Sequence, residues 1–127
     1  MQRLDDKTIL ITGGSRGMGA QMGELFASHG ATVVLTDVLD EQGEQTAAAI
    51  EDASYQHLDV RSEAEWEQLV ASVIESHGRI DVLVNNAGID LVKKLSATTL
   101  DDFERVVSIN QRGTFLGMRT VANTMIA

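Results

Sequence analysis

The residues best placed to do chemistry begin with a glycine cluster, Thr12-Gly13-Gly14-Ser15-Arg16-Gly17-Met18-Gly19. It follows a short apolar, β-branched run, Lys7–Thr12, and precedes a helical pattern. A strand-to-helix turn of this kind gathers backbone N–H groups and the positive end of a helix dipole at one point, which holds a phosphate or a diphosphate. Glycine lets the chain turn tightly there and lets an anion approach the amides. The next apolar run ends in Asp37, 20 residues beyond Gly17 (37 − 17 = 20). At that spacing a carboxylate meets the hydroxyls of a ribose. It accepts from both hydroxyls and repels a 2′-phosphate carrying about −1.5 to −2 charges. Val38 follows it and brings no cation. These features predict a dinucleotide of the NAD(H) type over NADP(H). The plainer reading is a structural turn with a solvent-facing Asp37. A triphosphate-binding loop would close on Gly-Lys-Ser/Thr, whereas this one closes on Gly17-Met18-Gly19.

Other chemistries are narrowed by what the chain contains. It has no cysteine, which excludes disulfides, thiolate-bound zinc and a cysteine nucleophile. That usage fits a reducing compartment, and a cytoplasmic location is expected. His29, His57 and His77 lie 28 and 20 residues apart (57 − 29, 77 − 57), without a His-x-x-x-His pair, so no metal site is expected. Ten basic against nineteen acidic residues give a net charge of −9, which repels phosphodiester backbones and anionic membranes. No apolar run approaches the ~20 residues of a membrane span. The start, Met1-Gln2-Arg3-Leu4-Asp5-Asp6, lacks the apolar stretch of a secretory signal. With 43% hydrophobic and 23% charged residues, the 127-residue chain reads as one soluble domain spanning 1–127. Proline is absent.

The elements that must position these residues alternate. β-like runs cover Lys7–Thr12, Thr32–Asp37, Ser54–Asp59 and Ile80–Asn85, the third weaker than the rest, and short continuous apolar runs suit strands buried on both faces. Met18, Met22, Leu25 and Phe26 form one helical stripe; Trp66, Leu69, Val70, Val73, Ile74 and His77 form a clearer one. The second helix opens with Ser62-Glu63-Ala64-Glu65, a capping-box pattern, and stops at Gly78. Residues 41–51 are helical by composition, with Ala47, Ala48 and Ile50 to bury. Residues 99–127 form one long helix or two abutting ones, marked by Phe103, Val106, Val107, Phe115, Met118, Val121, Ala122 and Met125. Met18, Met22, Met118 and Met125 read as core, and Trp66 as the anchor of its helix. Alternating strands and helices predict an α/β, Rossmann-type, doubly wound parallel sheet of order 3-2-1-4, with helices on both faces.

The spacing Gly13-x-x-x-Gly17-x-Gly19, with Asn85-Asn86-Ala87-Gly88 after the fourth strand, resembles the short-chain dehydrogenase/reductase family. Asp59-Val60 after the third strand and Ile109-Asn110-Gln111-Arg112-Gly113-Thr114-Phe115 in the last helical segment match the family's next landmarks. The segments Val34–Val38, Tyr55–Val60 and Gly117–Val121 look like bacterial NAD-dependent 3α(20β)-hydroxysteroid dehydrogenases within it. The resemblance implies that Gly13, Gly17 and Gly19 line a pyrophosphate, and that Ser15, Arg16 and the Met18 amide touch the adenosine ribose and phosphates. Asp37 would hold that ribose, with Val38 beside it. Asp59 would accept from the adenine amino group, with the Val60 amide beside the ring, and Asn86, Ala87 and Gly88 would pass the cofactor's middle. Asn110 would be the catalytic asparagine whose carbonyl holds a relay water. Each has a plainer role open to it: Asp59 beside a helix start, Asn85 and Asn86 as turn formers, Asn110 as a polar break in a helix. Gln111 and Arg112 depart from the apolar and small residues common after that asparagine.

The implied activity is NAD-dependent hydride transfer with a secondary alcohol or its ketone, in a dimer or tetramer packed through the long helix. The family's Ser and Tyr-x-x-x-Lys are not found: the single tyrosine is Tyr55, and Asp59 stands four residues on. The expectation is therefore the cofactor-binding front half of such an enzyme, inactive and poorly soluble alone, with an open edge on the fourth strand. Two other classes compete. One is a non-catalytic NAD-binding sensor or pseudo-enzyme. The other is an S-adenosylmethionine methyltransferase, against which the Gly13–Gly17 gap and the Asn-Asn-Ala-Gly turn argue.

Overall fold

A computed structural model describes residues 3–126. Met1 and Gln2 of the acidic start, and the last position of the expected 1–127 unit, lie outside the described residues. The chain alternates β1 (Thr8–Thr12), α1 (Gly17–Ser28), β2 (Thr32–Asp37), α2 (Asp40–Ala48), β3 (Ala53–His57), α3 (Glu63–His77) and β4 (Val82–Val84). A 3-10 turn (Leu95–Ala97) then leads to α4 (Leu100–Val107), a π turn (Ser108–Arg112) and α5 (Gly113–Ile126). The four strands are parallel in the order β3-β2-β1-β4, as the alternation predicts. β2 matches its run, and the other three strands are shorter than the runs that announce them: β1 leaves out Lys7, Asp59 lies beyond β3, and β4 keeps three residues.

Alternate side chains of the central strands feed two cores. Ile9, Ile11, Val33 and Leu35 pack with Ala31 and Ala47, joined by Met22 and Phe26 of α1. Leu10 and Val34 point the other way, into Trp66, Leu69, Val70, Val73, Leu116 and Val121 of α3 and α5. This period-2 division places helices on both faces of the sheet.

The helix stripes need correction. Met18 and Leu25 are exposed, and α1 instead buries Gly19 and Gly23. A Cβ on Gly23 would come within 2.9 Å of Leu35 Cδ2, so glycine lets the helix settle close to β2. Met118 and Met125 are also exposed, as is Phe115; α5 faces inward through Leu116, Gly117 and Val121. Gly117 lies against the Trp66 ring, where a Cβ would approach Trp66 Cη2 to 2.7 Å. Trp66 is fully buried, and its indole N–H donates to the Val60 carbonyl at 2.9 Å. The capping box forms only in half. Ser62 Oγ accepts from the Glu65 amide at 3.2 Å, but the Glu65 carboxylate accepts from the Asp59 amide at 2.6 Å.

Candidate functional site: a cleft over the carboxyl ends of the strands

The carboxyl ends of β1, β2 and β4 open into a cleft of about 520 Å³. Such a position is the ligand crevice of open α/β sheets. Gly13, Arg16 and Gly17 of the glycine loop line it, with Asp37 and Val38 after β2, Asp59 and Val60 after β3, and Asn86, Ala87 and Gly88 after β4. Ser15, Met18, Gly19 and Asn110 stand outside that lining.

The loop is braced from below. Thr12 Oγ accepts from the amides of Asn86 and Ala87 at 3.1 and 2.9 Å. Asn86 Nδ2 donates to the Thr12 and Gly13 carbonyls, both at 3.1 Å. Asn86 is thus a strut between β4 and the loop, a role beyond that of a turn former. Gly19 packs its Cα against the Gly13 carbonyl and leaves no room for a Cβ. Gly17 differs. Its φ is +58°, and a Cβ there would meet nothing within 4 Å. Packing does not require glycine at this position; the left-handed backbone and an unobstructed approach to the cleft do.

Gly17 begins α1, whose N-cap, Arg16, makes no side-chain capping bond, and whose first turn holds no acid. The first amides of a helix need an acceptor. Here they stand beside the cleft, where a diphosphate would supply acceptor and charge together. The residues present therefore fit a dinucleotide diphosphate.

Asp37 is held in place rather than left in solvent. Its Oδ2 accepts from Ser15 Oγ at 2.6 Å and from the Ser15 amide at 3.2 Å. Its Oδ1 accepts from the Val38 amide at 2.8 Å. Ser15 is fully buried, so its hydroxyl orients Asp37 from beneath the loop rather than facing the cleft. Met18 offers only the amide of its helix turn, since its side chain points to solvent.

Asp59 fills the plainer role and retains a place in the cleft. It forms the turn before α3: its carbonyl accepts from the Ser62 amide at 3.0 Å, and its Oδ1 accepts from the Arg61 amide at 3.0 Å. The Arg61 guanidinium also grips both carboxylate oxygens, at 2.9 and 2.7 Å, and holds the Asp59 carboxyl below the usual range. Asn110 lies in the π turn and clasps the chain after β4. Its Oδ1 accepts from the Ile89 amide at 2.9 Å, and its Nδ2 donates to the Ile89 carbonyl at 2.8 Å. The Asn110 carbonyl accepts from Thr114 Oγ at 3.0 Å. Tyr55 stands outside the cleft lining, with its hydroxyl 2.7 Å from the Asp37 carbonyl oxygen.

Sequence reasoning missed Leu39, Leu58, Arg61, Ile89, Arg105 and Ile109, which complete the lining. Leu39 and Arg61 directly follow landmark pairs, and Ile89 and Ile109 flank two more, so adjacency was the available signal. Arg105 carried none. Among the described residues no group of His, Cys, Asp or Glu is arranged to hold a metal ion, and no helix is long and apolar enough to cross a membrane.

Comparison with known proteins agrees with the fold. A family model described as short chain dehydrogenase matches residues 7–127. Short-chain dehydrogenase reductase 3b of Arabidopsis thaliana is 41% identical over 128 residues, covering 98% of this chain and 50% of the relative. The 3-alpha-(or 20-beta)-hydroxysteroid dehydrogenase of Mycobacterium tuberculosis is 41% identical over 124 residues, covering 97% and 48%. The crystal structure of 3-ketoacyl-(acyl-carrier-protein) reductase from Brucella melitensis complexed with NADH superposes with a TM-score of 0.91 at 32% identity, covering 95% of this chain and 50% of that one. The chain spans about half the length of the curated relatives it matches. A braced glycine loop, an oriented acid on β2 and a matching family model over nearly every residue lead to one conclusion: the chain belongs to the short-chain dehydrogenase family.

Proposed function

We propose that this chain binds NAD(H) in the cleft and is the cofactor-binding part of an oxidoreductase acting on a secondary alcohol or its ketone. The observation that carries the reading is Asp37, fixed by Ser15 and the Val38 amide at the rim of the cleft that also receives the uncapped start of α1. Its carboxylate is set to accept from two ribose hydroxyls and to repel a 2′-phosphate. Arg61, one of the three arginines that line the cleft, is engaged with Asp59. The bound nicotinamide supplies the hydride-accepting carbon. The chain's residues position it: the glycine loop at the diphosphate, Asp59 and Val60 at the adenine, and Asn86, Ala87 and Gly88 along the middle. The Asn110 carbonyl, which already accepts from Thr114 Oγ, would hold a relay water for the proton.

A hydroxysteroid-like substrate is favoured by the likeness to the mycobacterial relative. The exposed Phe115, Met118 and Met125 on α5 offer the apolar face for a homo-oligomer. A cytoplasmic location suits the cysteine-free chain. With Tyr55 outside the cleft and Asp59 four residues on, these residues alone bind cofactor and turn over no alcohol.

Fluorescence titration with NADH and NADPH tests the reading. NADH binds more tightly than NADPH, and Asp37→Ala weakens NADH roughly ten- to hundred-fold, the loss of hydrogen bonds to a charged acceptor. Tighter binding of NADPH overturns the assignment.

A further inference from the structure

Beside the cleft, a continuous polar chain joins the ends of β2 and β3 to α2 and α3. The Tyr55 hydroxyl lies 2.7 Å from the Asp37 carbonyl oxygen and 2.7 Å from Asp40 Oδ1, so its one hydrogen serves two acceptors. Asp40 Oδ1 is 2.8 Å from His57 Nδ1. His57 Nε2 is 3.6 Å from Glu65 Oε1, and Glu65 Oε2 accepts from the Asp59 amide at 2.6 Å. The chain therefore runs from the backbone of Asp37 to the backbone of Asp59, the two acids that line the cleft. Tyr55 is locked into this arrangement because Gly43 of α2 lies directly on its ring, with no space for a Cβ.

We propose that His57 is a positioning residue for the dinucleotide site. As an imidazolium it bridges Asp40 of α2 and Glu65 of α3, and through them fixes the backbone of Asp37 and Asp59 at the adenosine end. The inference rests on the dinucleotide reading above.

The chemistry follows from counting protons. An imidazolium has two N–H groups, one hydrogen-bonded to Asp40 at 2.8 Å and one in ionic contact with Glu65 at 3.6 Å; neutral imidazole has one N–H and no charge, so a lone pair then faces an oxygen. The groups around His57 are Asp40 and Glu44 from α2, Tyr55 and Asp37 from the strands, Asp59 with its partner Arg61 from the turn, and Glu65 from α3. The Asp40 hydrogen bond, with the charges of Asp40, Glu65 and Asp59, raises His57 above its usual 6.5. Hydrogen bonds from Tyr55 and His57 hold the Asp40 carboxyl low, and burial pushes the Tyr55 hydroxyl up. A raised value in the folded chain means that the bridge is complete below pH 6.5 and is lost as pH rises through the raised value.

Two measurements test this. In the free protein, NMR follows the His57 ring and the Val38 and Asp59 amides through neutral pH. The amides shift with the His57 midpoint, and Asp40→Asn lowers that midpoint. With cofactor, the NADH dissociation constant rises roughly two- to five-fold across the same midpoint, the size expected of exposed ion pairs. His57→Gln flattens that profile. Amides that ignore the His57 titration overturn the proposal, as does an unchanged pH profile in both His57→Gln and Asp40→Asn. If NADH binds at no pH, the dinucleotide reading falls, and the amide titration still decides whether the bridge reaches Asp37 and Asp59.

Discussion

The N-termini of α1 and α4 solve the same problem in opposite ways. Both helices start with amides that lack helical partners. At α4 the sequence supplies the acceptors itself. Thr99 Oγ accepts from the Asp102 amide at 3.1 Å, the Asp102 carboxylate accepts from the Thr99 amide at 3.0 Å, and Lys93 adds a charged bond at 2.7 Å. Asp101 and Asp102 further balance the dipole. At α1 the N-cap is Arg16, and no acid occupies the first turn. A helix end furnished with its own anion is a structural joint. One that lacks an anion, faces a cleft and begins at a left-handed glycine leaves its amides open to an anion from outside, as the proposed function requires.

Substitutions at the two ends should therefore separate stability from binding. The largest effect is expected for Gly17→Ala. The left-handed φ of +58° costs an L-residue about 1–2 kcal/mol, seen in denaturant unfolding, and the added methyl enters the cleft and sharply weakens NADH. Thr99→Ala should remove about 1 kcal/mol of stability and leave NADH affinity unchanged. Equal loss of affinity in both variants would break the contrast. Arg16→Asp sharpens it further. The extended backbone at this position suits a capping residue, so stability rises by about 0.5 kcal/mol while NADH binding weakens through repulsion of the diphosphate. The smallest effect belongs to acid. Lys93 and the Thr99 amide lower the Asp102 carboxyl from 3.8 to about 2. A lowered value in the folded chain contributes stability above 3.8 that is lost as pH falls through about 2. Protection of the Asp102 amide from hydrogen exchange should hold at pH 4 and fall as pH drops from 3.8 through about 2.

What was legible in the sequence follows the same division. The glycine loop and Asp37 answer local needs that residue type betrays, a tight turn and a strand-tip acid; Asn86 is legible as a turn former, but its bracing of the Thr12 and Gly13 carbonyls, over 70 residues away, is not. Alternation announces a doubly wound parallel sheet, and the dinucleotide-binding reading selects the order 3-2-1-4 that the strands adopt. Packing choices were less visible. Met18 and Leu25 fit an inward stripe of α1, but the buried positions are Gly19 and Gly23, because the Gly13 carbonyl beside the one and Leu35 beside the other leave room only for glycine. Glu65 looked committed to Ser62, yet the folded chain offers it the Asp59 amide. Arg105 reaches the cleft only through the path of α4, and no short-range pattern records that path.

The wide turn at Ser108–Arg112 sets the phase between two helices. Ser108 and Gly113, five residues apart, are both buried. On a regular helix, at about 100° per residue, they would point well away from each other. The added residue works as a half-step in a gear train, turning α5 until Leu116 and Val121 mesh with α3 while Asn110 still engages Ile89. Deleting one residue here would leave every side chain chemically intact and misalign all those beyond it.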